Sequence, residues 1–276
     1  MNLLETIIYG LVGGLSDCLP VSAQAHGSLL IFLLGLDSEP ILLRFLVHIG
    51  VIAGLYYSCH THILRILRAY KLSRVPKRRR RRPLDMNSVM DMRLLRTMLV
   101  PMILGFIFYG KITSLVSSIS ILAAMLFLNG IILYIPQFLP GSNKSSLHIT
   151  PADGILMGLG AALSLVPGLS CVGILLSVGA VRGADRGYAL NMSLLVNMLY
   201  NVGMAVYDIV AIVGQGIAGI SFTVVLMDLA GALAAFGGTL LAAAVMKKLA
   251  ASRGFSLFAY YCWGAALLLF ILFLTV

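Results

Sequence analysis

The chain has 276 residues, of which 60% are hydrophobic and 11% charged. An ordinary soluble domain is roughly 45–50% apolar and about 25% charged. So few charges cannot cover so much apolar surface in water, which excludes a soluble enzyme or nucleic-acid-binding domain and leaves one polytopic membrane domain over 1–276. The net charge of +10 is local: twelve of the twenty Lys and Arg lie between Arg65 and Arg96, including the run Lys77 to Arg82. No aromatic side chain interrupts that run, so it reads as a cytoplasmic loop over 61–93 held near anionic lipid headgroups, with no nucleic acid as partner.

Taken in chain order, the first apolar stretch (7–34) is broken by Gly13-Gly14 and Pro20 and carries Ser16, Asp17, Ser22, Gln24 and His26. Spans of about 20 apolar residues follow from Ile41 to Cys59, Leu94 to Tyr109 and Leu115 to Ile135. A second broken stretch (157–181) contains Pro167-Gly168, Ser164, Ser170 and Ser177. Three further spans run from Ala189 to Ile212, Phe222 to Val245 and Leu257 to Val276. Irregular backbone at membrane depth persists only where protein or a wet cavity satisfies its polar groups. Both broken stretches therefore read as re-entrant helix-loop-helix hairpins, with Pro-kinked spanning helices as the plainer alternative.

Parity then fixes orientation. With the block up to Arg96 inside, the loop over 137–150 is inside and the link over 110–114 outside, and Lys247 and Lys248 fall inside as positive charge should. The two hairpins enter from opposite faces. The expected fold is all-α, with six transmembrane helices and two hairpins in an inverted-topology repeat of halves 1–135 and 136–276. Interrupted segments at matching places in two halves point to a binding site at their interface.

Ionisable residues inside a membrane are expensive and are candidates for function. Asp17 and His26 flank Pro20, while Arg44 and His48 are spaced to share one helix face. The alternatives are a cap or an Arg44 partner for Asp17, a hydrogen-bonded neutral His26, and an Arg44 that snorkels to headgroups. After Pro167, the run Gly168-Leu169-Ser170-Cys171-Val172-Gly173 frees backbone N–H groups that suit phosphate oxygens, though small residues also serve helix packing. Cys18, Cys59, Cys171 and Cys262 are too scattered for a zinc site and read as free thiols.

These residues give the chain a resemblance to the bacterial undecaprenyl-diphosphate phosphatase (bacitracin-resistance) family, whose motifs have the forms EGxTEFLPVSSxGH and PGxSRSG. Here they stand as Gly13 to His26 and Pro167 to Gly173. The resemblance implies the inverted-repeat fold, a homodimer, a bacterial inner-membrane location and a polyprenyl pyrophosphate pocket. It also implies acids for a divalent metal, an arginine for the pyrophosphate and Ser/His for the chemistry. The departures are substantial: Gly13 and Asp17 replace the glutamates, Ala23 a serine, Cys171 the arginine and Val172 a serine. Only Ser22, His26 and Ser170 match as polar residues, and His48 stands where the family usually has glutamine.

Phosphoryl transfer depends on charge to stabilise developing anionic oxygens, so these losses favour binding without hydrolysis. The expectation is a carrier that holds undecaprenyl phosphate and moves it between leaflets for envelope synthesis. Arg44, His48, Gln24, Gly168, Ser170, Cys171 and Gly173 would bind it, with no certain cofactor. The alternative is a phosphatase using Asp17, Ser22 and His26, with magnesium or calcium and Asp17 as the sole protein candidate for a metal ligand. A scaffold without ligand is the third reading.

Overall fold

The computed structural model describes residues 1–276 apart from 37, 81, 117, 140–142, 216–220, 251–254 and 276. Among these the chain is helical, with α1 (Leu3–Cys18), α2 (Ala23–Leu33), α3 (Ile41–Ser73), α4 (Met86–Ile107), α5 (Tyr109–Leu115), α6 (Ile119–Tyr134), α7 (Pro151–Leu163), α8 (Cys171–Val181), α9 (Arg186–Gln215), α10 (Phe222–Ala250) and α11 (Ser256–Thr275).

Local chemistry sets the boundaries that matter. Asn2 and Glu5 form a capping box that starts α1. The helix stops at Cys18 because Leu19 precedes Pro20 and is forced into extended backbone (φ −75°, ψ 151°). Ser22 then caps α2. Thr150 and Asp153 repeat the capping box on α7, with Pro151 at its first position. The chain breaks again at Pro167-Gly168, and Ser170 caps α8.

Among the described residues, five stretches are long and apolar enough to cross a membrane: Ile41–Ser73, Ile119–Phe138, Arg186–Gly214, Phe222–Ala250 and Leu257–Leu274. The expected span from Leu94 to Tyr109 corresponds to α4, which is 22 residues long but carries Asp91, Arg93 and Arg96. Two sequence expectations need correction. The basic segment is loop only between α3 and α4, because α3 continues helical to Ser73 with Arg65, Arg68 and Lys71 on it. The link over 110–114 is helical, within α5.

The helices pack in pairs. Helix α1 lies on α10 as α7 lies on α4, α3 meets α9, and α6 meets α11. Small residues let the backbones close, as is usual between membrane helices. A Cβ on Gly10 or Gly14 would overlap the Gly231 or Ala235 carbonyl of α10, and one on Gly158 would overlap the Met98 carbonyl of α4. Large apolar side chains such as Val100, Ile103 and Ile107 of α4, Val206, Val210 and Val213 of α9 and Leu267 of α11 remain exposed.

The two helix breaks are joined by one buried side chain. Asn129 of α6 donates from Nδ2 to the Pro20 carbonyl (3.0 Å) and accepts the Ser170 N–H on Oδ1 (2.9 Å). The break after α1 and the break before α8 are thereby held face to face.

Candidate functional site

A cleft of about 260 Å³ opens between the end of α1, the start of α2 and the α3–α9 seam. Behind it lies a recess of about 30 Å³, room for about one water, which shares Asp17, Ala23, Gln24, His48 and Met204 with the cleft and reaches Ser170, Cys171 and Asn197. The site sits where both breaks meet the central seam.

Helix α9 organises the polar groups. Asn197, Asn201 and Asp208 recur at helical spacing on the face turned to α3. Both asparagine amides donate to one oxygen of Asp17: Asn197 Nδ2 to Oδ2 at 2.6 Å, and Asn201 Nδ2 to the same atom at 3.0 Å. Among the described residues no protein donor is recorded on Asp17 Oδ1. The imidazole of His48 meets Asn201 Oδ1 through Nδ1 at 2.6 Å. Gln24 donates from Nε2 to the Tyr109 hydroxyl at 3.2 Å.

Arg44 faces this cleft. Its Nε and Nη2 donate to Asp208 Oδ1 at 3.0 and 2.5 Å, and its Nη1 donates to Glu39 Oε2 at 2.9 Å. Its charge is therefore already met by two carboxylates. Glu39 stands in the loop before α3, where burial pushes its carboxyl above the usual range while Arg44 pulls the other way. Three carboxyl groups, Asp17, Asp208 and Glu39, stand against one arginine in and beside the cleft, so its formal charge is negative with all three ionised and His48 neutral. Arg44, expected from sequence to bind the phosphate, is thus already paired with Glu39 and Asp208.

The other expected residues divide. Gln24, His48, Asp17 and Arg44 converge on the cleft, and Ser170 and Cys171 border the recess. His26 lies elsewhere: it is two positions after Gln24, about 200° round α2, and its Nε2 meets the Tyr261 hydroxyl at 2.7 Å. Its ring stacks on Tyr261 beside a separate apolar groove of about 500 Å³. It thus does not border the cleft, and neither it nor Arg44 touches Asp17. Ser22 is buried, capping α2 through the Ala25 N–H, and holds a left-handed φ of 66°. Gly168 supplies a turn with φ 97° against Met125, while Gly173 packs near Pro20 and Leu133. Both glycines shape the break rather than line the cleft.

Asn197, Asn201, Asp208 and Glu39 were missed from sequence. Three of them form a polar stripe within an otherwise apolar helix, a signal that the periodicity of α9 carries. The divalent metal that the resemblance implies finds no suitable donor set: among the described residues no group of three or more His, Cys, Asp or Glu is placed to hold an ion. Asp17 Oδ2 is occupied by amides, and Asp208 Oδ1 and Glu39 Oε2 by a guanidinium. The residues present do not make a protein-held metal centre.

The sequence model for "Bacitracin resistance protein BacA" matches residues 6–268. The chain belongs to the BacA family. Relatives align with nearly all of it. An undecaprenyl-diphosphatase of Methanobrevibacter smithii is 30% identical, covering 98% of this chain and 97% of its own. One from Carboxydothermus hydrogenoformans is 28% identical, covering 95% and 94%. Undecaprenyl-diphosphatase 1 of Shouchella clausii is 28% identical, covering 98% and 96%. With its apolar helices, this BacA-family chain is a multi-pass membrane protein.

Proposed function

We propose that the protein is a polyprenyl-diphosphate phosphatase, hydrolysing undecaprenyl diphosphate to undecaprenyl phosphate at the α1–α3–α9 cleft. The observation that carries this reading is the convergence of two helix N-termini, α2 and α8, on the Asp17 carboxylate across the Asn129 clamp. Free N–H groups at a helix start suit anionic oxygens. The Ala23 and Gln24 amides would face the diphosphate from one side and the Cys171 amide from the other. Asp17 Oδ1 would orient the attacking water and take its proton. The names of the full-length relatives support hydrolysis over the carrier expected from the lost motif charges.

In this reading α4 is the sixth span, α1–α2 and α7–α8 are re-entrant hairpins, and the exchange of α1–α10 for α7–α4 reflects an inverted repeat. The basic segment before α4 faces the cytoplasm and its anionic lipids. Phosphate release from undecaprenyl diphosphate by purified protein tests the assignment. Wild type should turn over and Asp17→Asn should not. Equal rates, or no release by either, would remove it.

One observation favours a second reading, binding and translocation without hydrolysis: Glu39 and Asp208 already neutralise Arg44, leaving the cleft without a free guanidinium. Native mass spectrometry would then find polyprenyl phosphate retained by a protein that releases no phosphate.

A further inference from the structure

The hydrogen bonds around His48 fix where its protons are. Asn201 Nδ2 is committed to two acceptors, Asp17 Oδ2 (3.0 Å) and the Asn197 carbonyl (2.9 Å). That sets the amide's orientation, so the atom presented to His48 Nδ1 at 2.6 Å is the oxygen Oδ1. An amide oxygen only accepts, and His48 therefore carries hydrogen on Nδ1. On a neutral ring Nε2 would then be a bare lone pair.

What that lone pair faces is another acceptor. Nε2 lies 3.7 Å from Asp208 Oδ2, and both atoms are buried with no hydrogen-bond partner among the described residues. The other Asp208 oxygen is taken by Arg44. Two buried acceptors set against each other are unfavourable for both. A proton on Nε2 turns the pair into an imidazolium and carboxylate, and also lowers the excess negative charge of a cleft that must admit a diphosphate.

We propose that His48 and Asp208 form a proton-holding dyad behind the cleft wall, with Asn201 and Arg44 holding its geometry. The proposal rests on the phosphatase reading. In the step it serves, a water oxygen bonds to the terminal phosphorus and gives a proton to Asp17. The bond from that phosphorus to the bridging oxygen breaks, the electron pair stays on that oxygen, and the positive charge of protonated His48 stabilises the departing phosphate. Polyprenyl phosphate and inorganic phosphate leave, and Asp17 returns its proton to solvent through the cleft.

Other titratable or charged groups border the cleft and recess: Tyr9 and Asp17 from α1, Glu39 from the loop, Arg44 from α3 itself, Tyr109 from α5, Cys171 from α8 and Tyr200 from α9. Helix α10 lines neither. His48 is the group among them whose ordinary titration falls near neutral pH.

The test measures phosphate release from undecaprenyl diphosphate between about pH 5 and 9, in the full chain in detergent, for wild type, His48→Gln and Asp208→Asn. Wild type should lose activity as pH rises through an alkaline limb, since the dyad must hold its proton. His48→Gln keeps a group able to bond Asn201 but cannot titrate. It should lower kcat by about 10²-fold, abolish the limb and leave KM nearly unchanged. Asp208→Asn removes the counter-charge and should move the limb to lower pH. A His48→Gln protein that keeps both kcat and the limb overturns the dyad while leaving the phosphatase reading intact.

Nitrogen-15 NMR of the histidines gives a readout independent of turnover, with the His48 signal assigned by its loss in His48→Gln or, should that variant not fold, by its shift in Asp208→Asn. The dyad predicts hydrogen on Nδ1 throughout and a titration at Nε2 that shifts in Asp208→Asn. If no protein releases phosphate, the phosphatase reading falls and this titration still decides whether the dyad binds a proton. A His48 signal that does not titrate over that range overturns the dyad.

Discussion

The two helix breaks are built from similar parts and used differently. Each follows a helix opened by a capping box, each contains a proline, each has one left-handed residue, and Asn129 binds both. In the first break the left-handed residue is Ser22, a conformation that costs a non-glycine residue about 1–3 kcal/mol. In the second it is Gly168, which adopts it freely. The first break presents Asp17, Ala23 and Gln24 to the cleft, whereas around the second Leu165 and Val172 are buried, Pro167 is what borders the cleft, and Leu169, Ser170 and Cys171 border the recess. Strain is kept where the polar groups are displayed, and the relaxed break acts as the anchor.

The sharpest way to break this contrast is to disarm each side in turn. Asp17→Asn preserves an oxygen for Asn197 and Asn201 but removes the base. Phosphate release should fall by about 10²–10³-fold. Cys171→Ser at the second break should leave the rate within the same order of magnitude. Comparable losses from both would mean that the breaks share the chemistry.

Cutting the clamp should cost stability. Asn129→Leu strands the Pro20 carbonyl and the Ser170 N–H, two buried groups at about 1–3 kcal/mol each. Thermal unfolding in detergent should show a clear fall in Tm, and an unchanged Tm would mean that the breaks are not mechanically joined. Substitutions at the left-handed residues should then have opposite signs. Gly168→Ala forces a side chain into φ 97° and sets its Cβ 2.6 Å from that of Met125, so it should destabilise by about 1–3 kcal/mol. Ser22→Gly relieves strain and loses only a few tenths of a kcal/mol as a cap, so it should stabilise by about 1 kcal/mol. Loss of stability in Ser22→Gly would show that the serine is not strained.

Much of this was legible in the chain because prolines and caps act locally. Pro20 and Pro167-Gly168 marked both breaks, and the spacing of Arg44 and His48 placed them on one face. The charge of the cleft was not legible, because Glu39 and Asp208 reach Arg44 from 5 and 164 positions away, and only the folded α3–α9 seam brings Asp208 there. His26 was misplaced for a different reason. Its motif position suggested the site, while its helical phase relative to Gln24 already put it on the opposite side of α2. The basic segment was read as loop because charge was weighed over helical continuity, yet α3 carries those charges without breaking.

The smallest effect concerns how the hairpins are closed at their bases. Asp153, in the first turn of α7, accepts the Thr150 N–H and hydroxyl at 2.9 Å each and the Arg182 Nε at 2.6 Å, tying the start of α7 to the end of α8. Glu5, its counterpart on α1, bonds to Asn2, and no ion pair to Glu5 is recorded among the described residues. Burial alone would push the Asp153 carboxyl up, but the Thr150 donors and Arg182 outweigh it and hold it below the usual range. A carboxyl held low contributes stability above the ordinary carboxylate range, and that contribution fades as pH falls through its folded value. Arg182 is 38% exposed, so water screens the pair and Arg182→Gln should cost less than about 1 kcal/mol near neutral pH. The gap in Tm between wild type and Arg182→Gln should narrow as the pH is lowered below about 4. Glu5→Gln should give a smaller gap at every pH, because that carboxylate lacks a basic partner among the described residues. A constant gap for Arg182→Gln down to the acid limit would mean that the arginine acts by packing its stem and not by its charge, and the two hairpin bases would then differ in shape alone.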